Sequence, residues 1–143
     1  MQTYKSGSHT RYDIKYHIVW IMKYRRPILE GSVAERVREL ICQICIQNDV
    51  TIIKGHVSKD HIHVLVSATP SFSISHLVQK LKGSSSHKLF QEYAHLRKQY
   101  WGQDLWSRGY FVATIGTVTD EVIKEYISNQ DKELPDDDFR IGS

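Results

Sequence analysis

His61-Ile62-His63 opens a run, His61 to Ser67, in which apolar residues alternate with others. On a strand that alternation sends both imidazoles to one face about 7 Å apart, while Ile62, Val64 and Val66 turn to the opposite one. Two imidazoles on a rigid strand can share a metal ion, since neutral imidazole is the commonest side-chain ligand for one. Far along the chain, Tyr126 and Gln130 stand four residues apart, one helical turn, and so on one face of a helix. A metal held by His61, His63 and the amide oxygen of Gln130 keeps open positions for a phosphate oxygen and can act as a Lewis acid on a phosphodiester. Tyr126 would then stand beside the electrophile. Its phenol, ordinarily near pKa ~10, attacks only when phosphorus is polarised and a base or cation assists deprotonation. Such attack leaves a phosphotyrosine and a free sugar hydroxyl.

Each of these residues also has an ordinary reading. A His-x-His pair arises by chance in a chain with 8 histidines. Val122, Ile123 and Ile127 surround Tyr126 at helical spacing, as a packed core requires, and Gln130 by itself is a solvated amide.

The elements that must position these groups follow from periodicity. Tyr12, Ile14, Tyr16, Ile18, Trp20 and Met22 share one face of a period-two run with Asp13, Lys15 and His17 opposite, a strand over 12–22. Ser32, with Glu35 three residues on, predicts a capping box for a helix with Val33, Val37, Leu40, Ile41 and Ile44 on one stripe, ending near Asn48. Val50 to Val57 and His61 to Ser67 read as a hairpin joined by Ser58-Lys59-Asp60. Ser73 caps a second helical stretch through Ile74, Leu77, Val78 and Leu81; Gly83-Ser84-Ser85-Ser86 is expected to interrupt it before Leu89, Phe90, Tyr93 and Leu96. Leu105 to Ile115 predicts a fourth strand, and Thr117 with Asp120 a last helix to about Glu133, stopped by Pro135. The order β-α-β-β-α-β-α points to an α+β fold of the ferredoxin-like, split β-α-β kind: a four-stranded antiparallel sheet with helices on one face and a C-terminal helix carrying the tyrosine. The other sheet face is expected to stay open for work.

At 143 residues, 41% hydrophobic and 24% charged, the chain suits one domain over 1–143 and is too apolar for disorder; a loose acidic tail is expected from about 134. No apolar run reaches the ~18 residues of a membrane span, and MQTYKSGSHT has no apolar signal core. A cytoplasmic protein is expected. Cys42 and Cys45 form one C-x-x-C inside the first helix, too few for a disulfide framework or a zinc site, and read as packing residues. The net charge of +3 hides an asymmetry: residues 131–143 hold five acids against Lys132 and Arg140, so the rest of the chain is clearly basic. That surplus suits a polyanion, although solubility alone also explains it. Within it, Lys23, Arg25 and Arg26 follow the first strand, while Lys80, Lys82 and Lys88 flank Ser84 to Ser86. Trp101, Trp106, Arg108 and Tyr110 mix charge with stacking surface, as single-strand binding requires. The alternative for each is a solvent-facing cation or a core ring, and for the serines a flexible joint.

Taken in order, YHIVWIMKYRRPIL (16–29), KDHIHVLVS (59–67), LVQKLKGSSS (77–86), LWSRGYFVATIG (105–116) and Tyr126-Ile127-Ser128-Asn129-Gln130 resemble the single-tyrosine transposases of the HUH class (His, hydrophobic, His). These TnpA-type enzymes belong to very small insertion sequences, and the chain is similar also to REP-associated tyrosine transposases. The resemblance spans nearly the whole chain. It implies cleavage and rejoining of single-stranded DNA at the ends of a mobile element through a 5′-phosphotyrosine on Tyr126, with His61, His63 and Gln130 as ligands of Mg²⁺ or Mn²⁺. It further implies subterminal DNA hairpins as substrate and a homodimer whose active sites are completed in trans. By residue type and position, rather than by the resemblance, Arg25, Arg26, Lys80, Lys82, Ser84, Ser85, Lys88 and Arg108 are the candidates for DNA contacts. A covalent intermediate conserves the phosphodiester energy, so no nucleotide cofactor is needed; consistently, no G-x-x-x-x-G-K-[ST] loop is present. Two other classes remain open. A metal-free phosphodiesterase would use paired His-x-Ser/Thr motifs, of which His56-Val57-Ser58 supplies only one. A non-catalytic ferredoxin-like module would stack single-stranded nucleic acid on its sheet, and leaves the His pair and Tyr126-Gln130 without a role.

Overall fold

The computed structural model describes residues 5–6, 11–12, 14–114 and 120–131. A short ladder pairs Lys5–Ser6 with Arg11–Tyr12, so Tyr12 belongs there rather than to the first long strand. The domain proper runs β1 (Ile14–Ile21), α1 (Gly31–Gln47), β2 (Thr51–Val57), β3 (His61–Ala68), α2 (Ile74–Glu92), α3 (Ala94–Gln99), β4 (Phe111–Thr114) and α4 (Asp120–Asp131). The strands form one antiparallel sheet in the order β2-β3-β1-β4, the expected split β-α-β arrangement.

Strict alternation along β1 explains why α1 and α2 cover the face they do. Ile18, Trp20 and Met22, with Ile62, Val64 and Val66 of β3, join a single core with Val37, Leu40 and Ile41 of α1 and Leu77, Leu81 and Leu89 of α2. A one-residue slip would turn that whole set to the other side, so burial pins the register.

Three local expectations are revised and one holds. Helix α1 starts at Gly31, after an extended Glu30 with no side-chain cap, which places Ser32 inside the first turn rather than at a capping box. Ser73 does cap α2, its hydroxyl accepting from the His76 amide at 3.2 Å. The Gly83–Ser86 segment does not interrupt that helix, because Ser85 is turned inward at 1% exposure, donates to the Leu81 carbonyl and accepts from Trp106 Nε1 at 3.0 Å. The break comes at Tyr93 instead, where non-helical backbone separates α2 from α3. Strand β4 begins only at Phe111, the segment before it touching the sheet through one isolated Met22–Trp106 bridge. Ile115, Thr117 and the acidic tail lie outside the described residues.

The second sheet face is not left open either. Val19 and Ile21, which alternate with the core residues of β1, are 0% and 1% exposed. Among the described residues no helix is long and apolar enough to cross a membrane.

Candidate active site on the histidine face

Register places the chemistry-bearing residues in rungs across this second face. His61 lies opposite Ile21; His56, His63, Val19 and Phe111 follow one another across all four strands; Leu65, His17 and Ala113 form the next rung. Residues opposite each other in a ladder share a face, so His61, His63, His17 and Phe111 stand on one surface. The Tyr126 ring packs against Phe111 with centroids 5.3 Å apart. Phe111 is two strands from His63 on the same rung, a span of roughly 10 Å. Helix α4 therefore lies over the histidine face of its own sheet. Gln130 is one turn beyond Tyr126 in α4; its side chain lies outside the described residues.

Each histidine is held by a specific partner. His61 Nδ1 meets Asp60 Oδ1 at 2.8 Å, which leaves Nε2 as the nitrogen that can bind a ligand, an arrangement in which a carboxylate orients a metal-binding imidazole. Asp60 Oδ2 in turn accepts from Arg25 Nε and Nη2 at 2.9 and 2.8 Å. Partial burial raises the Asp60 pKa, but the bonds from His61 and the Arg25 guanidinium outweigh it and hold the carboxyl below its ordinary value. Arg25 also reaches across to α4, Nη1 donating to the Ile127 carbonyl at 3.4 Å. One guanidinium thus ties the residue that orients His61 to the backbone beside Tyr126. His63 Nε2 lies 3.0 Å from His17 Nδ1, the rings 5.2 Å between centroids, so one imidazole donates to the other.

Tyr126 stands apart. Its hydroxyl is buried with no hydrogen-bond partner, and burial pushes its pKa well above that of a free phenol. An unsatisfied buried hydroxyl costs about 1–3 kcal/mol, so it is either a defect or a group whose partner arrives with a ligand.

As a test of fit, the donors suit a divalent transition ion: imidazole nitrogen, an orienting carboxylate behind it, and an orphaned oxygen on the same face. Among the described residues no three His, Cys, Asp or Glu side chains gather closely enough to hold an ion by themselves, so a third ligand must be of another type or come from elsewhere. The C-x-x-C pair offers no second centre: Cys45 is 1% exposed, and burial, with Cys42 beside it, pushes its thiol up to about 11.

The residues expected at DNA are scattered and unlike one another. Arg25 is engaged by Asp60, as above. The guanidinium of Arg26 lies over Tyr24 and Tyr100 and donates to the Gln99 carbonyl at 3.1 Å. Lys82 points into the fold, donating to the Ser107 and Gly109 carbonyls, and its ammonium is destabilised by burial, its pKa pushed down to about 8. Ser85 and Trp106 are interior, where their mutual hydrogen bond is spent on packing and no surface is left for a nucleic acid. Lys80, Ser84, Lys88 and Arg108 are exposed, Lys80 donating to Asn48 at 3.3 Å. Two residues were not singled out from sequence although a signal existed for each. His17 stands on the polar side of the β1 alternation, and Asp60 immediately precedes His61.

Residues 10–130 match the family model described as transposase IS200 like. The chain is 38% identical over 130 residues to the ISDra2 transposase TnpA of Deinococcus radiodurans, covering 90% of this chain and 93% of that protein. It is 37% identical over 126 residues to the transposase for insertion sequence element IS200 of Salmonella typhimurium, covering 88% and 82%. A crystal structure from Deinococcus radiodurans R1, assigned as a transposase, superposes with a TM-score of 0.82 at 35% identity, covering 88% of this chain and 97% of that one. A REP-associated tyrosine transposase bound to a REP hairpin shares the fold at a TM-score of 0.56 and 15% identity, over 89% and 74% of the two chains.

Proposed function

Because the chain belongs to the IS200-like transposase family, we propose that it cleaves and rejoins single-stranded DNA at insertion-sequence ends, with Tyr126 as nucleophile. The observation that carries this reading is the placement of a buried, unpartnered phenol on the histidine face, packed against the residue that shares a rung with His63.

The reaction follows from what these groups can do. Tyr126 Oη attacks the scissile phosphorus, the P–O bond to the 3′ oxygen breaks, and the phenolic proton ends on the released 3′ hydroxyl. The DNA 5′ end is left as a phosphotyrosine, and the reverse attack by a 3′ hydroxyl rejoins a strand. A divalent ion, Mg²⁺ or Mn²⁺, held by His61, His63 and the Gln130 amide would polarise the phosphate and lower the barrier to phenol attack. Asp60 fixes the His61 ring so that Nε2 faces outward from the carboxylate. Arg25 holds Asp60 against that ring, and in the cis arrangement it also donates to the Ile127 carbonyl of α4, which would keep nucleophile and imidazoles in one frame there. Burial keeps the phenol protonated and unreactive until a phosphate and its counter-charge arrive.

The same reading extends to partners. The hairpin bound by the REP-associated relative, together with the basic surplus of residues 1–130, supports a single-stranded substrate carrying subterminal hairpins. A homodimer in which α4 serves the partner's histidines is part of the proposal, as is a cytoplasmic site of action. In the described chain α4 sits over its own sheet, so a cis arrangement is the competing state. Mixing Tyr126→Phe with His61→Ala separates the two. Restored cleavage in the mixture requires completion in trans; two inactive proteins that stay inactive together indicate completion in cis.

The test of the activity is strand cleavage of a labelled oligonucleotide bearing the element's end, with and without Mn²⁺. Wild type should yield a 3′ hydroxyl fragment and a protein-linked 5′ fragment, and Tyr126→Phe neither. Binding by both proteins without cleavage by either would favour the non-catalytic module. Metal-independent hydrolysis that survives Tyr126→Phe would favour the phosphodiesterase.

A further inference from the structure

Directly after β1 the chain makes a turn, Lys23–Arg25, in which Tyr24 and Arg25 both adopt left-handed backbone, φ +62° and +51°. Facing it, the turn after α3 places Trp101 at φ +57°. Bulky residues pay roughly 1–2 kcal/mol for that conformation, and such strain persists where the surroundings enforce it, most often at ligand sites. Both strained aromatics are exposed, Tyr24 at 40% and Trp101 at 86%. Between the two turns lies a cleft of about 220 Å³ lined by Lys23, Tyr24, Arg26, Tyr100, Trp101 and Asp104 among others. It is smaller than the ~300–1,000 Å³ of pockets for larger ligands, and suits one flat ring system.

The cleft's chemistry is specific. The Arg26 guanidinium lies over both Tyr24 and Tyr100, 5.3 and 5.0 Å from their centroids, and Lys23 Nζ lies 5.5 Å from the Tyr24 centroid. Tyr100 is rigid, 4% exposed, with its hydroxyl donating to the Lys23 carbonyl at 3.3 Å. The result is a fixed cation and aromatic stack with a freely presented indole at its edge. A π face for stacking beside positive charge for a phosphate is what an unpaired nucleotide needs. The Asp104 carboxylate in the same cleft repels a phosphate and can accept from the amino or imino edge of a base, which orients such a ligand. Arg25, between Tyr24 and Arg26 in sequence, is the residue bonded to Asp60. The cleft and the histidine face are therefore two sides of one short turn.

We propose that this cleft is a nucleotide subsite: it takes one unstacked base of the single-stranded substrate close to the scissile phosphate, stacked on Trp101, with the adjoining phosphate on Lys23 and Arg26. The proposal rests on the single-strand reading above for its ligand and on the cleft's own geometry for its location. It would give the enzyme a direct grip on strand beside the cleavage point, independent of the metal.

The experiment uses intrinsic fluorescence and metal-free binding. Trp20 and Trp106 are 1% and 5% exposed, so an external quencher reports on Trp101. A short oligo(dT) should quench wild type in the presence of a chelator, and duplex DNA of the same length should quench far less. Trp101→Ala should lose roughly 10- to 100-fold in affinity for an element-end oligonucleotide, and Trp101→Phe far less. An abasic nucleotide scanned along that oligonucleotide should reproduce the loss at one position near the cleavage point, with no further loss when combined with Trp101→Ala. Unchanged thermal unfolding of both variants would show that the fold is intact, as expected for a side chain this exposed. Affinity and cleavage by Trp101→Ala within about twofold of wild type, or abasic and Trp101 losses that simply add, would overturn the subsite while leaving the transposase reading in place. Trp101-dependent binding by a wild type that never cleaves would do the reverse.

Discussion

The two faces of the sheet are made by the same strands and differ by a one-residue step, yet they serve opposite ends. On one, Ile18, Trp20 and Met22 meet α1 and α2 in a core whose contacts are almost wholly apolar. On the other, His17, Val19 and Ile21 alternate with them, and sealed aliphatic residues stand beside imidazoles and a buried phenol. Among the described residues each face holds one orphaned polar atom, Trp20 Nε1 and Tyr126 Oη. They differ in their neighbourhood. Trp20 packs edge-on against Trp106, 6.1 Å between centroids, whereas Tyr126 shares its surface with the histidines. Burial is therefore a poor guide to role: both faces hold buried residues and an unpartnered polar group, and only the neighbours of that group tell them apart.

The contrast can be broken by substitution, and the largest effect should come from Tyr126→Phe. It should lower strand cleavage by roughly 10³-fold or more, as loss of a nucleophile does, while thermal unfolding stays the same or rises because an unsatisfied hydroxyl is gone. Leu81→Ala on the opposite face should do the reverse: a loss of about 2–5 kcal/mol in denaturant unfolding, with cleavage per folded molecule retained at low temperature. If Leu81→Ala abolished cleavage without loss of stability, the division of labour between the faces would be wrong.

A smaller effect is expected at Asp60→Asn, which removes the carboxylate that orients His61 and the partner that holds Arg25. Metal-dependent cleavage should fall about 10- to 100-fold, with single-strand affinity in the absence of metal nearly unchanged. Equal losses in both measurements would indicate a merely structural role. The smallest effect is one of pH. The Asp60 pKa is lower folded than unfolded, so its contribution to stability is present above the ordinary carboxylate value near ~4 and disappears as pH falls through the folded value. The difference in stability between wild type and Asp60→Asn should therefore be constant near neutrality and shrink in acid, as followed by urea unfolding at several pH values.

Much of this was legible in the residues because period two and period three to four are written directly by apolar side chains. The alternation of Ile18, Trp20 and Met22, the stripe of α1 and the His61/His63 pair gave the sheet, its covered face and one histidine surface. What was hidden depended on partners distant in sequence. Nothing local shows that Ser85 will be satisfied by Leu81 and Trp106, so Gly83–Ser86 reads as a break when it is helix. Nor does the pattern of β1 alone show that Val19 and Ile21 will be covered, since a strand with one apolar face and a mixed one reads as half open. The pairing of His17 with His63 bridges 46 residues and follows only once the β1–β3 register is known. Lys82, counted among the surface cations, turns inward because the carbonyls of Ser107 and Gly109 meet its ammonium there.

The central claim is that the orphaned phenol on the histidine face is the group that becomes joined to DNA. Peptide mapping by mass spectrometry of wild-type protein, incubated with an element-end oligonucleotide and Mn²⁺, tests it directly. The account predicts a nucleotide-bearing peptide modified at Tyr126, absent when His61→Ala replaces wild type. An adduct on any other side chain, or efficient cleavage with no adduct at all, would contradict it.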